Sequence, residues 1–114
     1  MAENDAWAEG LPVSITVTDA DGIIVAMNAR SRETFAADGG GALVGASVFA
    51  CHPEPALTKT RELYVRRTPS HYTIRKHGQK KIIHQIPWEH GGAFAGFVEI
   101  SIPIPDDLPH FDRD

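Results

Sequence analysis

The residues best suited to chemistry in this chain are Cys51 and His52, which directly precede the Pro-Glu-Pro segment 53–55. A thiol at the start of a helix has its thiolate stabilised by the helix dipole, and a neighbouring imidazolium strengthens that effect. The pair therefore suggests a ligand contact or a redox-sensitive thiol. In the structural alternative, Cys51 is a small buried residue and His52 caps the helix. Because adjacent residues point in different directions, we do not expect both to face one pocket.

His84 is the second candidate, since it lies within an alternating run on the face that it shares with Ile82, Ile86 and Trp88. If that face points inward, a single imidazole in an apolar pocket is available to a ligand. The alternative is a core histidine whose hydrogen bonds are satisfied. The other histidines considered lie in predicted loops, turns and the tail, at His71, His77, His90 and His110. Their spacing is not that of a zinc site, so we predict no preformed metal cage.

The sequence lacks the common catalytic motifs. It contains no Gly-x-Ser-x-Gly elbow, no phosphate-binding glycine loop and no His-Glu-x-x-His pair. The triple glycine 39–41 is interpreted as a flexible connection. We predict that the protein is not an enzyme. The least favoured alternative is a small cone-shaped α+β isomerase or dehydratase, whose only nominated acid/base pair is His84 with Asp19.

Composition and charge limit the partners. The chain of 114 residues is 42% hydrophobic and 23% charged, as expected for one globular domain. Its formal net charge of -4 argues against nucleic acid and anionic membranes as partners. A single cysteine excludes an intramolecular disulfide and fits a reducing compartment. The acidic start and the lack of a run of about 20 apolar residues predict a cytoplasmic protein.

The opening segment predicts a β-hairpin followed by a helix. Residues 13–18 alternate apolar and hydroxyl side chains, the period of a half-buried strand. The Asp-Ala-Asp-Gly sequence at 19–22 favours a tight turn, and a second β-branched run follows over 23–27. Asn28 is a good N-cap for a short helix over 29–37.

The rest of the chain predicts a helical middle and three more strands. A helix is expected from Pro53 to Val65, because proline suits the first helical position. Strands follow from His71 onward, with turns at 77–78 and 90–92. Pro87 predicts a bulge or a position facing away from a neighbouring strand. Two strands, helices and three strands together indicate an α+β fold with helices packed on one face of an antiparallel sheet.

Four segments of this chain, in their order, resemble a PAS domain. They are the strand and turn 15–22, the Met-Asn pair 27–28, the Gly-x-Ser-Val-Phe step 45–49 and the closing strand 91–100. The step at 51–53 and the strand at 72–76 further resemble a bacterial branch of the family.

The resemblance implies a fold and a domain division. It covers residues 11–104, which leaves an N-terminal extension over 1–10 and an acidic C-terminal tail over 105–114. The implied fold is α+β, with a five-stranded antiparallel sheet in the order 2-1-5-4-3 and short helices packed on one face.

The resemblance also implies a sensory or regulatory role. PAS domains bind haem, flavin, small carboxylates or other metabolites between sheet and helices, or bind nothing and dimerise. The cofactor is left unassigned, and haem is the one named possibility, with Cys51 or His52 as axial ligand because haem-binding members take a histidine from this region. The expected ligand-binding residues are Cys51, His52, Phe49, Leu57, Ile74, His84 and Val98.

The expected partner is a second copy of the chain. We predict an apolar patch with Phe97 and Trp88 on the sheet face opposite the helices, where such patches mark association. Glu99 alternates with Phe97 and Ser101, and is predicted to point away from the core. Because no output domain is recognised, we expect the signal to pass through the dimer or through a partner protein. The alternative function is a ligand-free dimerisation module.

Overall fold

A computed structural model of the chain describes residues 5–114. Its strands form one antiparallel sheet in the order β2-β1-β5-β4-β3, which confirms the predicted α+β fold. The elements are α1 (Ala6–Glu9), β1 (Ser14–Thr18), β2 (Ile24–Met27), α2 (Ala29–Thr34), two 3₁₀ turns (Ala36–Asp38 and Gly40–Leu43), α3 (Val48–Cys51), α4 (Ala56–Arg66), β3 (Ser70–Lys76), β4 (Gln79–His90) and β5 (Ala93–Pro103). None of the helices in this described part is long and apolar enough to cross a membrane.

The β1–β2 turn and the start of α2 follow local chemistry. The Asp19 carboxylate accepts hydrogen bonds from the backbone N–H groups of Asp21 (2.9 Å) and Ile23 (3.0 Å). The Asn28 side chain accepts from the Ser31 N–H (3.0 Å), so the predicted N-cap is confirmed. The helix ends at Thr34 and the chain continues as a 3₁₀ turn, so α2 is shorter than predicted.

The central helix α4 begins at Ala56 and not at the predicted Pro53. A residue that precedes proline is disfavoured in the helical conformation, and two such residues, His52 and Glu54, lie in this segment. The Glu54 carboxylate instead accepts the Thr58 N–H (2.8 Å) from outside the helix. The two prolines therefore move the start of the helix three residues along the chain, and the Glu54 side chain accepts a hydrogen bond from its first turn.

The inner face of the sheet, which α4 covers, is more polar than the opposite face. Strand register places one row of side chains, the floor row, across all five strands: Met27, Thr16, Glu99, Gln85 and Ser70. The alternate positions form the outer face: Ile15, Val17, Ile82, Ile86, Val98, Ile100 and Ile102. The apolar alternation therefore marks the face opposite α4.

Pro87 is tolerated in β4 because it lies beyond the end of a neighbouring strand. Pairing with β3 ends at Gln85, opposite Ser70, so no ladder bond toward β3 is lost at the proline. The pairing with β5 also shifts register between Trp88 and Glu89. The irregularity predicted for this strand therefore lies one residue beyond the proline, which itself pairs with Phe97.

Candidate functional site

A cleft of about 850 Å³ lies between the inner sheet face and α4. Clefts of this size are typical of small-molecule sites. Its sheet side is formed by Thr16, Thr18, Ile24, Met27, Ser70, Tyr72, Gln85, Phe97 and Glu99. The facing wall is formed by Ala56, Lys59, Thr60, Leu63 and Tyr64 of α4, and the ends by Phe35, Asp38, Leu43, Val48, Cys51 and His52.

The sheet side of the cleft carries a hydrogen-bonded polar row. The Gln85 amide donates to Glu99 Oε2 (3.1 Å), and the Thr16 and Ser31 hydroxyls share a hydrogen bond of 2.6 Å. Glu99 is half-buried. Within residues 5–114, no lysine, arginine or histidine forms a salt bridge with Glu99. The middle of the sheet thus presents a carboxylate without a cationic partner.

Tyr64 connects α4 to the sheet at one end of the cleft. Its hydroxyl shares a hydrogen bond with the Thr18 hydroxyl, which also accepts the Phe97 N–H (3.2 Å). Its ring lies 4.8 Å from the Phe97 ring and 5.1 Å from the Phe49 ring, centroid to centroid. These contacts make Tyr64 the support that holds α4 at this end of the sheet.

The Glu99 carboxylate affects both tyrosines of the cleft. Burial raises the pKa of Tyr64, and the negative charge of Glu99 adds to that increase. Burial likewise raises the pKa of Tyr72, again with a contribution from Glu99. Both phenols are therefore protonated at neutral pH and remain able to donate hydrogen bonds.

Cys51 and His52 both line the cleft, at its end near α3. The prediction that only one of them would face a pocket is wrong, because α3 ends at Cys51 and the backbone of His52 is extended (φ -111°, ψ 117°). The His52 Nδ1 hydrogen-bonds with the carbonyl oxygen of Val48. Cys51 is exposed and is not the buried apolar residue of the structural alternative.

Two expected ligand-binding residues, His84 and Val98, lie on the other side of the sheet. His84 pairs with Ile100 and Val98 pairs with Val17, all at outer-face positions. Their predicted placement in the cleft is wrong because the more apolar face of the sheet is the one opposite α4. His84 Nδ1 lies 2.8 Å from the Nδ1 of His71.

The other expected residues lie near the cleft without lining it. The ring of Phe49 packs behind Tyr64, Leu57 is half-buried on α4, and Ile74 lies past the cleft, exposed near the end of β3. The acid/base pair nominated for the enzymatic alternative does not form. The Asp19 carboxylate hydrogen-bonds with the backbone of the β1–β2 turn, and His84 lies on the outer face.

Glu99, Gln85 and Thr16 are the site residues that the sequence prediction missed. Glu99 was expected to point away from the core, together with Phe97 and Ser101. Phe97, Glu99 and Ser101 do share a face, but it is the face of the cleft. Phe97 is only 4% exposed. The strand pairing places Thr16 and Gln85 opposite Glu99, and this alignment of polar residues is the signal that would have identified the site.

A metal centre is not indicated by the side chains that the structure describes. Between residues 5 and 114 no group of three or more His, Cys, Asp and Glu residues is placed to hold a metal ion. The cleft is therefore described by its hydrogen-bonding and apolar groups.

Comparison with known proteins gives structural relatives only. No protein-family model matches the sequence. No curated protein matches it either.

Several solved structures are similar over most of their length. A C-terminal domain from Streptococcus mutans has a TM-score of 0.71 at 21% identity, covering 89% of this chain and 82% of that one. The PAS domain of BvgS from Bordetella pertussis has a TM-score of 0.65 at 19% identity, covering 90% and 85%. The Aer2 receptor from Vibrio cholerae, described as a dual PAS-haem oxygen sensor, has a TM-score of 0.64 at 20% identity, covering 86% and 99%.

Proposed function

We propose that this chain, which has the PAS fold, is a sensory module that binds a small molecule between its sheet and α4. The observation that carries the proposal is the cleft of about 850 Å³, with a hydrogen-bonded polar row on one side and Ala56, Leu63 and the ring of Tyr64 on the α4 side. Apolar walls with a few converging polar groups are typical of small-molecule sites.

The packing of α4 favours a bound molecule over the ligand-free alternative. None of the 11 residues of α4 is buried, although Leu63 and Tyr64 point into the cleft. A helix gains most of its stability in a protein by burying an apolar face. A ligand between α4 and the sheet would complete that burial, and the resulting order in α4 is a signal that a partner can detect.

Haem fits this cleft poorly. His52 has one feature of an iron ligand, since its Nδ1 already hydrogen-bonds with a backbone carbonyl. However, the face of a macrocycle would lie against the Glu99 carboxylate and the Gln85 amide. Covering an unpaired charge with an apolar surface is costly. We therefore assign no haem chemistry to Cys51 or His52.

Binding is tested by analysing what the protein retains. The purified protein is denatured, and the released small molecules are identified by mass spectrometry. A Thr60→Phe variant, which places a ring inside the cleft, is expected to retain at least about tenfold less of the molecule, the equivalent of about 1.4 kcal/mol. The matched control Arg61→Phe adds the same ring at an exposed position of α4. Equal retention by both variants would refute the cleft as the site.

The outer face supports a second proposal, that two copies of the chain associate through the sheet. Its apolar residues lie on three neighbouring strands, β1, β5 and β4, and Ile86 is 38% exposed. Contiguous apolar surface of this kind marks interaction sites.

The predicted contact residues need one correction. Phe97 faces the cleft, while Trp88 holds an outer-face position and donates its indole N–H to the Thr18 carbonyl (3.0 Å).

Association predicts a concentration-dependent dimer in analytical ultracentrifugation. Ile86→Asp is expected to weaken it by about 100-fold or more, because a charge at the centre of an apolar interface costs about 3 kcal/mol. Val65→Asp, at an 81% exposed position of α4, is the control and should leave the dimer intact. An unaltered dimer in Ile86→Asp would exclude this face.

A further inference from the structure

We infer that the molecule bound in the cleft carries a positively charged group, such as an ammonium, amidinium or guanidinium, that binds the carboxylate of Glu99. The inference rests on the proposed function of the cleft and adds the chemical class of its ligand. Its starting point is the position of Glu99 in the floor row, on the inner face of the sheet between Thr16 and Gln85.

The hydrogen bonding of Glu99 leaves room for such a group. Gln85 donates to Oε2, and in the described part of the chain no side chain donates to Oε1. No basic residue among 5–114 neutralises the carboxylate. Removing a carboxylate completely from water is expensive unless a charged or hydrogen-bonding partner compensates it. An unpaired carboxylate in a cleft is therefore a binding site for a positively charged group of a ligand.

Desolvation makes the choice of ligand selective. In the open cleft, water solvates Glu99, and any ligand that fills the cleft displaces that water. A cationic ligand replaces the lost hydrogen bonds with charge-assisted ones, which are the strong class. A neutral apolar ligand leaves the carboxylate unsatisfied, and an anionic ligand adds repulsion. The position of Glu99 in the cleft therefore favours cationic ligands over neutral and anionic ones.

The surrounding side chains agree with a cation that has an apolar body. The rings of Tyr64, Tyr72 and Phe97 line the same cleft, and aromatic faces attract cations. The two other ionised side chains of the lining, Lys59 and Asp38, are exposed and opposite in sign. Among the lining residues that the structure describes, Glu99 is therefore the ionised side chain that is half-buried.

Three phenyl compounds of similar size, whose polar ends are positive, neutral and negative, test the inference. Phenethylammonium, 2-phenylethanol and phenylacetate are titrated into the protein, and binding is followed by calorimetry and by chemical-shift changes. The cation is expected to bind about tenfold or more tightly than the alcohol, and phenylacetate more weakly than either. Glu99→Gln should weaken binding of the cation and remove the penalty that the carboxylate imposes on the alcohol, so that the preference for the cation over the alcohol is lost.

Two further variants separate charge from folding. Glu99→Asp keeps the carboxylate and is expected to retain most of the preference for the cation. Glu89→Gln removes a carboxylate at an exposed position of β4 outside the cleft and should behave as the unaltered protein. Thermal unfolding of each variant verifies that it is folded before its affinity is compared.

A second set of probes distinguishes the possible failures. Putrescine, agmatine and choline are compared with succinate, malate and citrate. If the cations of both sets bind more tightly than the neutral and anionic probes, and Glu99→Gln removes that preference, the inference holds. If the anions bind better, the inference is wrong while the cleft remains a binding site. If no probe of any charge binds, both the inference and the proposed function of the cleft are overturned.

Discussion

Replacing Asn28 with alanine is expected to lower the free energy of unfolding by about 4 kcal/mol. The side chain is 0% exposed and makes four hydrogen bonds. It accepts from the N–H groups of Ile15 (2.9 Å) and Ser31 (3.0 Å), and it donates to the carbonyls of Ala8 (2.9 Å) and Val13 (2.7 Å). Alanine leaves these backbone groups without their partner, and each buried orphan costs about 1–3 kcal/mol.

The size of this effect follows from what Asn28 connects. One amide group joins the end of β2, the start of α2, the beginning of β1 and the N-terminal helix α1. A domain of this size has a total stability of about 5–15 kcal/mol, so the loss removes a large share of it.

Urea unfolding followed by circular dichroism measures the loss. Asn28→Ser is expected to be intermediate, since serine restores the N-cap of α2 but is too short to reach the carbonyls. Arg30→Ala, an exposed substitution on the same helix, is the control and should change stability by less than about 0.5 kcal/mol. A loss below about 1 kcal/mol in Asn28→Ala would mean that the four bonds contribute little.

The second large effect is expected for Gly96→Ala, which should destabilise the fold by about 3 kcal/mol. Gly96 has a φ of +140°, and a Cβ there would lie 2.0 Å from the Thr18 carbonyl oxygen. That oxygen also accepts the Trp88 indole N–H, so it is held in place from a third strand. Alanine would therefore force β1 and β5 apart at the end of the cleft.

Gly91→Ala is the matched control for this prediction. Gly91 also has a positive φ, of +60°, but a Cβ there would meet no atom within 4 Å. Its substitution has only the backbone penalty, of about 1 kcal/mol. The difference between the two variants in urea unfolding measures the clash with Thr18 together with the larger backbone strain of alanine at a φ of +140°. Equal losses in the two variants would show that β1 and β5 can separate at little cost.

Most of the fold could be predicted because it depends on local signals. The Asp19 turn, the Asn28 cap and the glycines at 78 and 91–92 each act within a few residues, and each appears where it was predicted. Two helix boundaries differ from the prediction because competing local effects decide where these helices begin and end. The prolines at 53 and 55 delay α4, and α2 gives way to a 3₁₀ turn.

The candidate site was predicted only in part. Cys51 and His52 line the cleft, whereas His84 and Val98 lie on the outer face. A strand pattern separates the two faces of a sheet, but it does not say which face the helices cover. Here the usual assumption, that the apolar face is the covered one, selects the wrong set of residues.

The sequence by itself determined the strands and their turns, because turn chemistry and alternation are encoded by neighbouring residues. The order of the strands was predicted only through the resemblance to PAS domains. Only the tertiary structure decided that Thr16, Glu99 and Gln85 form one row beneath α4. These residues lie on three strands from distant parts of the chain, so their meeting depends on pairing register and on the path of the helices across the sheet. The unpaired carboxylate of the cleft is therefore a property of the assembled fold.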